Sequence, residues 1–233
     1  MFGSKEATDC RAVPACSTTS YVNEQGFGKT FVPNFVTDIT PDNVRAKGNA
    51  RIMIVGESPD DMEDQLGRPF SGPVHGMIEN ALHQARPGGI SRDDVYFTSV
   101  LKCRAVDVNP ETGILISRAP YPDEVEACKP LLEKEIDVVN PDVIVAMGGT
   151  AIKALTGEEL VKNAIKDKVL LYRGKGGQNT FVVPTYHPME SKYLIKASDI
   201  EGAARVQQQR NGAFKRAATL AAIENESRGS ENG

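Results

Sequence analysis

Two side chains that could perform acid–base chemistry each follow an apolar run in the sequence. Glu57 follows "RIMIVG", and His187 follows "NTFVVPTY". A carboxylate at the end of a buried strand can act as a general base, and an imidazole there can donate or accept a proton. The alternative for both is structural: a solvated or helix-capping Glu57, and a hydrogen-bonded structural His187. The other histidines, His75 and His83, fall on a predicted helix and are interpreted as structural.

Phe70 is a large aromatic residue in "GRPFSG", a segment whose Gly and Pro content is typical of a loop. Packing into the core is the ordinary role of such a ring. An aromatic ring beside a pocket can also stack on a nucleobase. Both interpretations are open from the residue types alone.

The chain contains four cysteines at irregular spacing: Cys10, Cys16, Cys103 and Cys128. The N-terminal segment has no apolar signal core, so we expect no export and a reducing compartment, where structural disulfides are disfavoured. Four thiolates in such a compartment suit zinc or an iron–sulfur cluster. The spacing matches no common zinc-finger pattern, and four unrelated buried thiols are the alternative.

The elements that must position these side chains alternate between strands and helices. Strands are predicted at 51–59, 94–103, 141–149 and 179–188, and helices at 72–85, 121–140, from Thr150 onward and from about residue 201. This alternation indicates an α/β fold with a mainly parallel sheet covered on both faces. In such folds the chemistry collects in loops beyond the carboxyl ends of the strands. Glu57 and His187 both fall in loops of this kind.

The composition limits the class of protein. With 40% hydrophobic and 25% charged residues, the 233-residue chain is an ordinary globular protein. Its longest apolar runs have the length of strands, so we expect no transmembrane helix, no membrane partner and a cytoplasmic location. A net charge of −4 argues mildly against bulk coating of nucleic acid, but says little about a local basic face.

Several motifs in this order resemble the uracil-DNA glycosylase superfamily, specifically its iron–sulfur family 4 branch. The matching segments are "GESP…ED..GRPFSG…G" from Gly56 to Gly76, "VYFTSVLKCR" from Tyr96 to Arg104, "E…C.P.L…I….P..IVAMGG.A" from Glu124 to Ala151, "RGK" from Arg173 to Lys175 and "PTYHP" from Pro184 to Pro188. "ED..GRPF.G" with a downstream "PTYHP" is a specific pairing, and four cysteines around it strengthen the match.

The resemblance implies a fold, a cofactor and a reaction. The fold is a single-domain three-layer sandwich with a four-stranded mainly parallel sheet between helices. We divide the chain into an irregular segment (1–50), the glycosylase-like domain (51–200), a C-terminal helix (201–223) and a disordered tail (224–233). A [4Fe–4S] cluster away from the pocket would be held by Cys10, Cys16, Cys103 and Cys128. The implied protein is a monomer that excises uracil, or a related damaged base, from single- or double-stranded DNA at the nucleoid.

The resemblance also implies roles for individual residues. Glu57 corresponds to the residue that orients the attacking water, Phe70 to the ring that stacks on the flipped base, and His187 to the histidine that binds the base carbonyl. No lysine stands at either motif, so a Schiff-base step is not suggested. The remaining candidates are Met189, Tyr193 and Leu194 as a wedge in the DNA stack, and Arg68, Gly148 and Thr150 as phosphate contacts.

The sequence departs from the family at several positions. Ser99 stands where the family has an asparagine that reads the edge of uracil, and a hydroxyl cannot make the two contacts of an amide. Ser58 stands beside the water site where a smaller residue is usual. The first cysteine pair is spaced more widely, and about nine extra residues separate Cys103 from Cys128. Two functions are therefore open: a monofunctional glycosylase, favoured by Glu57, Phe70 and His187, or a glycosylase-fold DNA-binding or replication accessory protein with little catalysis, favoured by Ser99.

Overall fold

The structure is a computed structural model that describes residues 51–66, 69–159, 165 and 167–231, with side chains up to residue 224. Three sequence-predicted site residues, Cys10, Cys16 and Arg68, lie outside the described residues, as does the segment 1–50. The strands are β1 (Ile52–Gly56), β2 (Val95–Ser99), β3 (Val106–Val108), β4 (Leu115–Ser117), β5 (Val143–Met147), β6 (Leu170–Arg173) and β7 (Asn179–Thr185). The helices are α1 (Asp61–Leu66), α2 (His75–His83), α3 (Pro122–Val139), α4 (Gly149–Thr156), α5 (Met189–Lys196) and α6 (Ile200–Glu231), and Arg92–Asp94 form a short 3₁₀ turn.

The central sheet contains the four predicted strands and one more. Its order is β2-β1-β5-β7-β6, in which β2, β1, β5 and β7 are parallel neighbours. The prediction of four strands was wrong by one, because β6 pairs antiparallel with β7. The tight connection "GKGGQ" between β6 and β7 lets the chain turn back on itself, since Gly177 supplies a φ of +84° that other residues rarely adopt.

The three-layer arrangement follows from the alternation of side chains along each strand. In β1, Met53 and Val55 pack on one face with Leu132 of α3 and Ile152 of α4. Ile52 and Ile54 pack on the other face with apolar residues of α2 and α6. Every residue of β1 is buried, as is typical of a parallel strand covered on both faces.

A β-hairpin lies between Cys103 and Cys128, in the segment that is longer than in the family that the sequence resembles. Strands β3 and β4 pair antiparallel, and the Arg118 amide donates to the Ala105 carbonyl at 3.1 Å, so the entry and exit of the hairpin lie side by side. The Arg118 guanidinium also bonds Asp107 at 2.9 Å and the buried Glu124 of α3 at 2.7 Å. The hairpin is therefore fastened at its base to the helix that carries Cys128.

The C-terminal helix is longer than the sequence suggested. It begins at Ile200 and continues to Glu231, through most of the segment predicted as a tail. The helical residues beyond 223 contain no proline to stop the helix. Among the described residues, we find no helix with the length and apolar character needed to span a membrane.

Candidate active site

The carboxyl ends of four strands bring most of the predicted site residues to one edge of the sheet. Glu57 follows β1, and Ser99 ends β2 directly opposite Gly56 in the register. Gly148 follows β5, and His187 stands two residues after β7. The Gly148 amide donates to the Thr185 carbonyl at 2.9 Å, which joins the ends of β5 and β7. Residues far apart in the sequence therefore converge at one place.

The Glu57 carboxylate is held by a hydroxyl from the neighbouring helix. Thr150 lies in the first turn of α4, and its hydroxyl donates a hydrogen bond to Glu57. Glu57 is half-buried, as is Ser58 beside it. The sequence suggested a phosphate contact for Thr150, whereas the structure directs its hydroxyl to the carboxylate. This bond fixes one carboxylate oxygen of Glu57.

His187 lies in a close turn against the glycine that follows β5. Gly148 has a φ of +90°, and a Cβ there would lie 3.4 Å from the His187 Cβ. The Met189 amide donates to His187 Nδ1 at 3.3 Å, so a neutral imidazole carries its proton on Nε2. Burial lowers the pKa of His187 below 6.5, while Glu57, Glu190 and Asp60 act in the opposite direction. Thr150, which bonds Glu57, lies two residues after Gly148, so the connection between β5 and α4 contacts both the acid and the imidazole.

Phe70 adopts a backbone conformation that is rare for an aromatic residue. Its φ is +55°, in the left-handed region, and its side chain is buried. The ring lies against Gly56, where an added Cβ would come within 2.8 Å of the Phe70 Cζ atom. Its centroid is 5.5 Å from that of Phe97 in β2. The glycine at position 56 is therefore required by the ring that covers it.

Glu63 of α1 supports the same loop from inside. Its carboxylate accepts hydrogen bonds from the amides of Phe70 and, at 2.7 Å, of Asp60, while Asp60 in turn caps the Glu63 amide at 2.8 Å. The pKa of Glu63 is raised to about 7, chiefly because burial disfavours the charged form, with the nearby Asp60 carboxylate adding to the effect. The two amide bonds and Arg92 oppose that rise.

A buried ion pair lies under the strand end that carries Ser99. The Lys102 ammonium donates to the Ser99 carbonyl and to the Thr98 hydroxyl, both at 2.6 Å. It also pairs with Glu135 of α3 at 2.9 Å, and both charged side chains are at most 5% exposed. Thr98 donates to the same carboxylate at 2.6 Å. The backbone of Ser99 is thus fixed from below by a closed polar network.

The predicted wedge residues separate into two groups in α5. Tyr193 is 59% exposed, whereas Met189 and Leu194 are partly buried against the two core clusters. Ile195, which the sequence analysis did not single out, is 54% exposed beside Tyr193. Tyr193 and Ile195 are the apolar side chains of this helix that solvent, or a ligand, can reach.

The two cysteines within the described residues lie on one side of the sheet. Cys128 of α3 is buried in the core cluster against that face, and Cys103, after β2, is half-buried against the same cluster. In the described part of the chain, no three histidine, cysteine or acidic side chains form a group that could hold a metal ion. The other two predicted ligands, Cys10 and Cys16, are outside that part.

Sequence analysis assigned no role to four polar residues that surround the site: Glu63, Arg92, Lys102 and Glu135. Glu63 lies in the quoted motif "ED..GRPF", so its place in the motif was a usable signal. Arg92, Lys102 and Glu135 act across elements that only the fold brings together. Their contacts could not be read from local spacing.

Comparison with known proteins identifies the family of the chain. The family model described as "Uracil DNA glycosylase superfamily" matches residues 44–197, about two thirds of the chain. The chain belongs to this superfamily, and the mixed α/β sandwich described above is consistent with that membership.

Individual relatives carry a more specific name. A type-4 uracil-DNA glycosylase of Thermotoga maritima is 36% identical over 156 residues, 66% of this chain and 71% of the relative. A type-4 enzyme of Sulfurisphaera tokodaii is 35% identical over 150 residues, 62% of each chain. One of Saccharolobus solfataricus is 32% identical over 158 residues, 64% of this chain and 67% of the relative.

Proposed function

We propose that this chain is a monofunctional uracil-DNA glycosylase that hydrolyses the N-glycosidic bond of uracil in DNA during base excision repair. The observation that carries the proposal is that Glu57 and His187 follow the parallel strands β1 and β7, on either side of β5 at the same end of the sheet, while the Phe70 ring lies against Gly56 beside Glu57. Relatives named type-4 uracil-DNA glycosylases support the same substrate. The enzyme acts on DNA as a monomer in the cytoplasm, at the nucleoid.

The base must leave the DNA stack before the bond can break. Rotating a nucleotide out of a duplex costs a few kcal/mol, which contacts to the flipped base offset. Phe70 supplies an aromatic face for the base, and Ser99 a hydroxyl at its edge. On α5, the exposed Tyr193 is the wedge candidate that can reach the gap in the stack.

The reaction displaces uracil by water. As the bond from C1′ to N1 breaks, its electron pair leaves with the base and positive charge develops on the sugar. The Nε2–H group of neutral His187 donates a hydrogen bond to O2 of the departing uracil, which stabilises the negative charge that develops there. The Glu57 carboxylate orients a water and stabilises the cationic sugar, and the water oxygen bonds C1′ as its proton passes to Glu57. The uracil anion then takes up a proton from solvent and Glu57 releases the proton that it received, so the products are free uracil and an abasic site.

Lys102, which follows the strand that ends at Ser99, does not supply a nucleophile. Lys102 is 2% exposed and is bound to Glu135, Thr98 and the Ser99 carbonyl. An amine in this position cannot approach C1′ of a flipped nucleotide. This supports hydrolysis without a Schiff-base intermediate and without strand cleavage by the enzyme.

A [4Fe–4S] cluster is the cofactor that we infer for this chain. Cys103 and Cys128 pack on the same face of the sheet, as two ligands of one group must. Contrary to the expectation that disulfides are disfavoured, Cys103 takes part in a disulfide in this structure, and this bond would have to be reduced before the thiolate could bind iron. Cys10 and Cys16 would complete a set of four thiolates, the ligand set of such clusters. The cluster would serve the fold rather than the chemistry, by tying the N-terminal segment to β2 and α3.

The decisive test of activity uses purified protein and a uracil-containing oligonucleotide, followed by alkali, which cleaves abasic sites. We expect alkali-labile product from single- or double-stranded substrate, and none before alkali. Absence of abasic product from both substrates would favour the DNA-binding or accessory function that Ser99 suggests. Glu57→Gln is the control for contaminating glycosylase.

The cluster is tested separately by the absorbance of anaerobically purified protein near 400 nm, roughly where iron–sulfur clusters absorb. Cys128→Ala should lose this absorbance, and His187→Ala should lower turnover while keeping it. Full absorbance in Cys103→Ala or Cys128→Ala would contradict the ligand assignment.

A further inference from the structure

Arg92 contacts the Pro69 carbonyl, Glu79 and the Phe97 ring. We infer that Arg92, together with Glu63, is a positioning residue for the Phe70 ring that would stack on the base. The inference rests on the proposed function, because it concerns the ring that would stack on uracil. It adds a residue from the 3₁₀ turn before β2, which is far from the "GRPF" motif in sequence.

The Phe70 backbone requires external support. A φ of +55° is a left-handed backbone conformation that residues with a Cβ atom rarely adopt, because the Cβ crowds the neighbouring backbone. Such conformations persist where the surroundings over-determine them, and they cluster at functional sites. The supporting contacts should therefore come from groups on both sides of the residue.

Contacts of this kind are present at both the amide and the carbonyl. On the amide side, the buried Glu63 carboxylate accepts the Phe70 N–H. The carbonyl of that same peptide unit, which belongs to Pro69, accepts from Arg92 Nη2 at 2.9 Å. On the carbonyl side of Phe70, Arg92 Nη2 lies 3.5 Å from the Phe70 oxygen. His75 Nδ1 is 3.3 Å from that same Phe70 oxygen. The peptide units on either side of the Phe70 Cα are thus both held.

Arg92 is itself held in three directions. Its Nη1 bonds Glu79 of α2 at 3.2 Å. Its guanidinium carbon lies 4.1 Å from the centroid of the Phe97 ring, which in turn packs against Phe70. A planar guanidinium can stack on a ring and donate from its edge at the same time, which an ammonium cannot do. Arg92 therefore connects the backbone before the stacking ring to the strand that carries Ser99.

The consequence concerns selective binding of the flipped base. The Phe70 ring lies flush against Gly56, and a displaced ring would no longer present its face at the end of β1. The Arg92 side chain is only 19% exposed and bonds protein groups, so we expect it to contribute little to contacts with the DNA backbone. Loss of Arg92 should then weaken uracil recognition more than general DNA binding.

The test compares Arg92→Lys and Arg92→Met with a matched control, Arg86→Met. Arg86 also donates to a backbone carbonyl, that of Gly89 at 3.0 Å, but in an exposed turn away from Phe70. Affinity is measured for DNA containing 2′-fluoro-deoxyuridine, which resists hydrolysis, and for the same DNA with thymidine. We expect the ratio of the two affinities to fall about tenfold in both Arg92 variants, the size of a weakened base–aromatic stack. Arg86→Met should keep the wild-type ratio.

A second readout does not depend on activity. In protein labelled with 4-fluorophenylalanine, the Phe70 signal is assigned by its disappearance in Phe70→Leu. We expect this ¹⁹F resonance to shift or broaden in Arg92→Lys, and to stay unchanged in Arg86→Met. If wild-type protein shows no preference for uracil, the proposed function fails and the ¹⁹F result alone decides the placement of the ring.

The inference is overturned if Arg92→Lys has an unchanged uracil-to-thymine affinity ratio and an unchanged Phe70 resonance. A lower midpoint of thermal unfolding alongside these wild-type values would show that Arg92 is purely structural. If Arg92→Met does not fold, the same measurements are made on Arg92→Lys alone.

Discussion

At the scale of single residues, hydrogen bonds fix the orientation of the two side chains that we propose to act on the substrate. The Met189 amide sets the tautomer of His187, and the Thr150 hydroxyl fixes one oxygen of Glu57. Both supporting groups come from the first turn of a helix that follows a strand. The same fold that collects the reactive side chains therefore also orients them.

The tautomer of His187 leads to a prediction about pH. Burial lowers the pKa of His187 below 6.5, so the imidazole is neutral at neutral pH. Protonation at lower pH would place an N–H at Nδ1 against the Met189 N–H, and would disrupt the turn that aims Nε2. We expect kcat to stay level from pH 8 to pH 6.5 and to fall below it. In His187→Gln, kcat should be lower at all pH values and should not show this fall at acid pH. The same fall in the variant would show that another group causes it.

Thr150 should matter for rate rather than for folding. A hydrogen bond to a charged group contributes about 1.5–3 kcal/mol, so Thr150→Val should lower kcat by roughly tenfold or more. Thr156→Val is the matched control, because its hydroxyl bonds the Ile152 carbonyl in the same helix. Equal loss of kcat in the two variants, measured in single-turnover assays, would speak against a role for Thr150 at Glu57.

At the scale of elements, the position of Ser99 depends on contacts between β2 and α3. The Lys102–Glu135 ion pair connects them inside the core. The Lys102 ammonium donates three hydrogen bonds, to Glu135, Thr98 and the Ser99 carbonyl. A buried pair of this kind is poor evidence for net stability, but breaking one half of it is strongly destabilising.

Lys102→Met should therefore lower the free energy of unfolding by about 3–5 kcal/mol, because it leaves Glu135 charged and buried. The double variant Lys102→Met/Glu135→Leu should recover much of that loss. Lys153→Met, which removes an exposed ion pair with Glu159, should leave the free energy of unfolding almost unchanged. Urea titrations of the three variants decide this; a double variant as unstable as Lys102→Met would show that the charge is not the cause.

At the scale of the whole molecule, the alternation of strands and helices was enough to predict the fold class, the four parallel strands and the edge at which Glu57 and His187 meet. The fifth strand escaped prediction because β6 has only four residues, of which Leu171 and Arg173 are exposed. Helix α1 was also missed, since it is short and depends on the Asp60–Glu63 capping contacts. The supports of Phe70 were beyond prediction for another reason: Arg92 reaches it only through tertiary packing.

The buried Glu63 should make global stability depend on pH. Its pKa is raised from 4.5 to about 7, so between these values the folded protein binds this proton more tightly than the unfolded chain. The contribution of Glu63 to the free energy of unfolding is greatest below pH 4.5 and decreases by roughly 3 kcal/mol as the pH rises to 7.

Denaturant titrations of wild-type protein and Glu63→Gln across this pH range measure that contribution. The stability of the wild type relative to Glu63→Gln should decline from pH 4.5 to 7 and then remain level. Glu126→Gln, which removes an exposed carboxylate from α3, is the control for the loss of one charge. A constant difference between wild type and Glu63→Gln at all pH values would show that Glu63 titrates normally.

The hairpin β3–β4 leaves and rejoins the molecule at adjacent points, since Ala105 and Arg118 are joined by a backbone hydrogen bond. Its turn, around Asn109–Gly113, can therefore be lengthened, trimmed or labelled while the spacing between Cys103 and Cys128 in space is preserved. That turn is a natural attachment point for a fluorophore or a surface tether, from which the enzyme could be followed on single DNA molecules without touching the residues that handle the base.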